Sequence, residues 1–437
     1  MAMKITVNGI GKIRTAGITI DGISVIAGPN GSGKSTIGRT LMTWFAVLRQ
    51  LPSRLVIERL KSAREALNSF LKANDLPEVP FVLAPHKDNS INILDVETWL
   101  NVDTLIELLN RDPEYYFSEK DSREDAEKIV ARRDEIVRVL ADVSQRSPSY
   151  YLPAIFEDSF ETALDKQFSH RGLAVSDSSV ETEFGEGSVA SVDFVNDKVT
   201  QWKIVPANQV PLVFYFEPVH LLDLYAHGLK SPGQGSPRLS ATVRYKAADA
   251  DWRNFLYGEV DKTEWSVERK KEHEQLVASL DELMSVMRGR LEKQGRELRF
   301  ADKDVSFPIS VMNVASGIKT MSAIENGIRA GVIRPGCLLI VDEPESNLHP
   351  QWQIALAHFL VKLNAQFDMR LLLNTHSPFF LKAIEVFSRE EDCDKNAHYY
   401  RMVKDDEGFE YSAVELKDGT NEIFKSYFDA MNDLMSR

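Results

Sequence analysis

The chain has 437 residues, 43% of them apolar and 27% charged, with a formal net charge of −13. That length allows about two or three domains with sizeable cores, and the composition is that of a globular protein, which excludes a disordered or fibrous chain. An acidic surface repels phosphate backbones, so nucleic-acid binding by the surface at large is not expected, while a local basic groove stays possible.

The two cysteines, Cys337 and Cys393, give neither a disulfide framework nor a cysteine-based zinc site. The opening residues, MAMKITVNGIGKI, lack the charged, apolar and small-residue order of a secretion signal. No apolar run approaches the ~18–20 residues that span a bilayer. The expectation is a cytoplasmic protein with no membrane partner.

In chain order, residues 1–27 alternate apolar and polar through Ile5, Val7, Ile10, Ile18, Ile20, Ile23 and Val25, which predicts two or three strands. Ile23 to Ala27 reads as a buried strand and Ile37 to Leu48 as a helix. Between them lies Gly28-Pro29-Asn30-Gly31-Ser32-Gly33-Lys34-Ser35-Thr36, a complete phosphate-binding loop in the strand–loop–helix context its chemistry needs. Glycines let backbone N–H groups curl around a polyphosphate, and the helix N-terminus adds partial positive charge. Lys34 reaches the β- and γ-phosphates, and the Ser35 hydroxyl suits Mg2+. These residues predict a nucleoside triphosphate site.

Helical patterning continues to about Phe70 and again over 93–145, where Ile129, Ile136, Leu140 and Val143 share one face. Strand signals return between Leu173 and Phe216, with Asn196-Asp197 as a hairpin turn. Gly228 to Arg238 reads as a loop. Leucines at 276, 280, 283 and 291 with Met287 predict a helix over about Glu268 to Leu298, core-facing rather than a coiled-coil seam. Pro308 to Asn374 reads as α/β, and the tail from Tyr399 as a hairpin and a helix.

Leu338-Leu339-Ile340-Val341-Asp342-Glu343 predicts an apolar strand ending in two carboxylates, the first suited to Mg2+ and the second to polarising an attacking water. Asp342 lies 308 residues after Lys34, too far for a compact single-unit GTPase. Ser316-Gly317 opens an apparent helix 26 residues upstream, and His376 follows the strand Leu371 to Leu373, 34 residues downstream. Pro344 to Pro350 lies between them. Singly, each of these has an ordinary reading as a cap, a strand-end histidine or a loop. Their order and spacing beside the phosphate loop is the informative part.

That arrangement resembles the ABC-type ATPases, in particular the RecF/SMC-like and OLD-like AAA family ATPases of prokaryotes, many from anti-phage systems. The resemblance covers the first ~45 residues and roughly 300–390. It implies an α/β, ABC-type P-loop head built from 1–45 plus 300–437, with some strands from 173–216, and an inserted helical or mixed lobe over 46–299. It implies that Gly28 to Thr36 is Walker A, Asp342 and Glu343 are Walker B, and Ser316-Gly317 is the motif that meets the γ-phosphate in the opposite protomer. Ser346 to His349 would be the D-loop and His376 the switch histidine, with Glu343 and His376 catalytic.

ATP and Mg2+ are the implied cofactors. The implied assembly is a homodimer or a higher even-numbered homo-oligomer controlling a separately encoded effector, a nuclease or toxin, in anti-phage defence. A DNA-repair or chromosome-maintenance ATPase clamping nucleic acid is the alternative, and a transporter subunit is a third, weaker one. The motif is A-S-G-I-K rather than L-S-G-G-Q, and the Q-loop glutamine is Gln167 or Gln201 or neither. OLD nucleases carry a Toprim domain after the histidine, whereas 61 residues follow His376 here, so no nuclease of its own is expected. The acidic run Glu390-Glu391-Asp392 with Asp394 reads as a solvated loop.

Overall fold

The computed structural model describes residues 2–76, 102–111, 127–128, 130–164, 176–217, 265–284, 289–294, 297–302, 306–405, 408–417, 419–425 and 435. The alternating N-terminus folds as β1 (Met3–Ile10), β2 (Ile13–Ile20) and β3 (Ile23–Ala27), followed by helix α1 (Lys34–Ala73). Next come α2 (Val102–Arg111), α3 (Arg133–Gln145) and α4 (Pro148–Ala163), then β4 (Asp177–Phe184), β5 (Val189–Val195), β6 (Lys198–Lys203) and β7 (Val213–Phe216). The C-terminal part carries α5 (Val267–Met284), β8 (Gly289–Gln294), β9 (Glu297–Asp302), β10 (Ile309–Ser310) and α6 (Ser316–Arg329). It continues with β11 (Leu338–Asp342), α7 (Pro350–Phe367), β12 (Arg370–Thr375), α8 (Pro378–Glu390), β13 (Ala397–Lys404) and β14 (Tyr411–Glu415).

Contacts divide the chain into two units, one of Met1–Arg49 with Ser159–Arg437 and one of Gln50–Asp158. The first is organised by an eleven-stranded sheet in the order β6-β5-β4-β1-β2-β14-β13-β3-β12-β11-β7. From β13 to β7 the neighbours run parallel, and from β6 to β2 they run antiparallel. The sequence separates these two halves by pattern. The five-residue runs of β3 and β11 are apolar or small almost throughout and buried at every position, as a parallel strand covered on both faces must be. In β1, β2 and β4 burial follows the alternation of the sequence.

One face of the parallel strands supplies Val25, Leu339, Val341, Leu371 and Leu373 to a core shared with α5, α6, α7 and α8. The other face meets α1 where Gly38 lies against Tyr215, Ile340 and Asn374. Asn196 and Asp197 both have positive φ, 49° and 66°, which is the left-handed pair that a two-residue hairpin between β5 and β6 requires. The second unit has its own core, in which Leu60, Ala63, Leu67 and Leu71 of α1 pack with Val102, Ile136, Leu140 and Val143. Of the predicted apolar face, Ile129 lies outside the described residues.

The helix predicted over 268–298 is corrected. α5 stops at Met284, and the chain from Gly289 forms the antiparallel pair β8 and β9 with Leu291 in a strand. Gln294 and Glu297 pair directly, and this cross-strand pairing overrides the leucine spacing. Met287 and Gly228 to Arg238 lie outside the described residues. Among the described residues no helix is long and apolar enough to cross a membrane.

The contact at Gly38 sets how closely α1 approaches the strands. A Cβ there would lie 3.0 Å from the Tyr215 ring and 3.2 Å from both Ile340 and Asn374, whereas one at Gly17 has nothing within 4 Å. Gly38→Val is expected to destabilise the fold by about 1–3 kcal/mol through overpacking. Gly17→Ala is expected to be neutral or slightly stabilising. Urea midpoints of the two variants measure the difference.

Candidate functional site

Three parallel strands bring the predicted motifs together. Thr375 at the end of β12 is level with Ala27 at the end of β3, and Asp342 at the end of β11 is level with Asn374. Everything that follows these strands therefore emerges at one edge, where open α/β sheets hold their ligands. The loop 28–33 leaves β3 there, with Gly31 and Gly33 at φ 75° and 95°, values that side-chain-bearing residues rarely adopt. α1 begins at Lys34, so its N-terminal dipole faces the loop. Inside, the Ser32 hydroxyl is fully buried and has no hydrogen-bond partner in the protein, while Pro29 and Asn30 are exposed and Thr36 is half-buried. A curled loop with an unsatisfied buried donor is what a phosphate would complete.

Lys34 is buried, and its Nζ donates to the carbonyls of Gly28 at 2.9 Å and Pro29 at 3.0 Å. Burial pulls its pKa below the ordinary lysine value, opposed by the charges of Glu343, Asp342 and Glu345. The exposed Lys12, from the turn between β1 and β2, donates to the Gly31 carbonyl at 3.2 Å.

Asp342 accepts from Asn374 Nδ2 at 3.1 Å, from the Tyr215 hydroxyl at 3.2 Å and from the Ser35 hydroxyl. Burial raises its carboxyl above the ordinary value, and these donors pull it back. Asn374 Nδ2 also donates to the Lys34 carbonyl at 3.0 Å, which ties β12 to the first turn of α1. A carboxylate beside a hydroxyl at the mouth of a phosphate loop is a donor set that suits Mg2+, which takes one or two protein oxygens and completes its shell with phosphate and water. Among the described residues no three or more His, Cys, Asp or Glu side chains are grouped to hold a metal. The run at 390–394 is mostly exposed, as a solvated segment.

Glu343 stands in the left-handed region at φ 46°, fixed by its N–H donating to the Asn374 carbonyl at 2.9 Å. This backbone turns its carboxylate out of the strand line, where it accepts from Ser346 Oγ at 3.2 Å and lies 3.8 Å from His376 Nδ1. It remains partly exposed, so a water can reach it. His376 Nδ1 lies nearer a second carboxylate, Glu345, at 3.3 Å. Burial pushes the Glu345 carboxyl up, against donors from Thr375 and His376.

Ser316 and Gly317 open α6 as predicted, with no side-chain cap at Ala315. They pack against the 344–348 loop. The Ser316 hydroxyl donates to the Ser346 carbonyl at 2.5 Å, and a Cβ on Gly317 would fall 2.2 Å from Leu348 Cδ1 and 2.8 Å from the Pro344 carbonyl. His349 caps α7. Gln201 is exposed on β6, the edge strand furthest from β7, so it takes no part in this cluster, and Gln167 lies outside the described residues. The motif reading missed Tyr215, Asn374 and Glu345. Asn374 sits two residues before His376, which was the available signal, whereas the contacts of Glu345 come from another strand's end and had no local signal.

Residues 332–382, which run from the end of α6 through β11 and β12 into α8, match a family described as "AAA domain, putative AbiEii toxin, Type IV TA system". No curated protein matches the sequence. Among solved structures the chain is similar to an Smc head bound to the C-winged helix domain of ScpA, at 10% identity and a TM-score of 0.38 over 97% of this chain and 98% of that one. It is also similar to the SMC head domain from Thermotoga maritima, at 12% identity and a TM-score of 0.34 over 95% and 98%. A third is an Smc head domain with an extended coiled coil bound to the C-terminal domain of ScpA derived from Pyrococcus furiosus, at 10% and 0.37 over 99% and 100%. Likeness this loose adds nothing to the strand order and the site. The strand order and the site show an α/β fold carrying a phosphate-binding loop, with a segment at residues 332–382 similar to that AAA domain family.

Proposed function

We propose that this chain binds Mg–ATP at the loop 28–36 and hydrolyses it between two copies of itself, as a switch that controls a separate partner. The observation that carries the reading is the hydrogen-bonded cluster joining Lys34, Ser35, Asp342 and Asn374, with the partly exposed Glu343 beside it.

In this reading the loop N–H groups and Lys34 bind the triphosphate, and Ser35 with Asp342 hold Mg2+. Bound there, the ion would supply charge neutralisation to the β- and γ-phosphates. Glu343 is the base that orients and polarises the attacking water, and His376 addresses the γ-phosphate. Ser316 and Gly317 rest on the 344–348 loop of their own chain. The family resemblance assigns them to the γ-phosphate in a second copy, which would make each site complete only in a homodimer or a higher even-numbered assembly. The inserted lobe of this head is residues 46–299, of which Gln50–Asp158 forms a unit of its own. The matched family's description, a putative toxin of a Type IV toxin–antitoxin system, is in keeping with a defence role; the partner in this reading is a separately encoded nuclease or toxin in the cytoplasm.

Two variants test the two halves. Lys34→Ala is expected to weaken binding of a fluorescent ATP analogue on the order of 100-fold, the upper end for one charged hydrogen bond. Retained tight binding would sink the phosphate-loop assignment. Glu343→Gln is expected to bind Mg–ATP normally and to lose about 10²–10⁴-fold in turnover, the usual share of a positioned base. It should also elute as a dimer in Mg–ATP by light scattering, and a monomer in saturating ATP would refute the two-copy reading.

A further inference from the structure

Glu345 belongs to none of the roles above, yet it is among the most heavily bonded side chains of the site. It is 4% exposed, and its Oε1 accepts from Thr375 Oγ1 at 2.7 Å, from the His376 N–H at 2.7 Å and from the Ser377 N–H at 3.1 Å. The same oxygen is 3.3 Å from His376 Nδ1, a close charge contact without hydrogen-bond geometry, and Oε2 is buried without a hydrogen bond. A buried carboxylate is costly, and a neutral side chain could serve if the need were only to close a loop. A charge with every contact gathered on one oxygen fixes the peptide that carries the imidazole and sets a carboxylate beside the ring nitrogen that faces inward.

Two other contacts extend this hold. Ser377 Oγ donates to Gln353 Oε1 at 2.6 Å and caps α8 through the Phe380 N–H at 3.3 Å, so the 375–377 segment is pinned from both sides. The residue after Glu345, Ser346, bonds Glu343 through its hydroxyl and Ser316 through its carbonyl. Glu345 is thus the point where the loop touching the α6 turn is joined to the loop carrying His376.

We propose that Glu345 is the positioning residue of the hydrolytic site. It holds His376 with Nδ1 protonated toward the carboxylates, so that Nε2 is the ring nitrogen presented to a phosphate oxygen, and it transmits movement of the 344–348 loop to that ring. The proposal rests on the nucleotide reading above for its role in hydrolysis, and on geometry alone for its hold on the ring.

The test is Glu345→Gln in the full chain, which keeps the volume and an acceptor but removes the charge. In 15N-histidine spectra, with His376 assigned by its loss in His376→Asn, the wild type is expected to show Nδ1–H and the variant to lose that preference. Turnover should fall about tenfold to a hundredfold, the value of one charged hydrogen bond, with KM for ATP changed little. Glu345→Asp should restore part of it, and Glu345→Gln should cost nothing further in a His376→Ala background. An unchanged His376 tautomer, wild-type turnover, or losses that multiply with His376→Ala would each overturn the proposal. The nitrogen signals read the hold on His376 whether or not ATP is hydrolysed, so failure of the nucleotide reading is told apart from failure of this one.

Discussion

The site depends on one constraint, that β3, β12 and β11 run parallel and end level. Parallel pairing of Ala27 with Thr375 and of Asn374 with Asp342 delivers a phosphate loop, a histidine loop and a pair of carboxylates to one edge. A slip of one residue in β12 would turn Asn374 away from Asp342 and from the Lys34 carbonyl. Leu371, Leu372 and Leu373 are buried on both faces and would tolerate the slip, so the polar bonds of Asn374 to Asp342 and to the Lys34 carbonyl help to set the register.

That geometry is held at a cost. Asp342, Glu345, Lys34 and Asn374 are all buried, in a sheet whose other positions are mostly aliphatic. Each is stabilised by specific partners rather than by water, and truncating one would leave the others uncompensated. Glu343 adds backbone strain, being a non-glycine residue at φ 46°. Its N–H bond to Asn374 keeps it there, so the strain is fixed by the same asparagine that bridges the other two elements. Removing the Asn374 amide would loosen Asp342 and the first turn of α1 at once.

Much of this was legible in the residues. The phosphate loop announced itself through glycine spacing and a flanking apolar run, and β11 through four aliphatic residues before two acids. Asn196-Asp197 gave the hairpin turn because few other pairs tolerate two left-handed residues. Periodicity misled at 268–298, where leucines fit a helix but Gly289–Gln294 and Glu297–Asp302 pair as antiparallel strands. Glu345 was invisible for a different reason. Its donors lie 30 to 32 positions away on another strand's end, and no local pattern encodes a contact created by register.

The same long range shapes how the site forms. β3 lies near the start of the chain and pairs with β12 and β13, more than three hundred residues later. The loop at 28–33 therefore cannot acquire its carboxylate or its histidine until both ends of the chain have met, and the closure entropy of that step makes it a late one. The unit Gln50–Asp158 is different, because it has its own apolar core from residues 60 to 143 and can organise locally. A nucleotide that bridges the loop and Asp342 would bind only the joined state, and by mass action it would stabilise the pairing on which its own site depends.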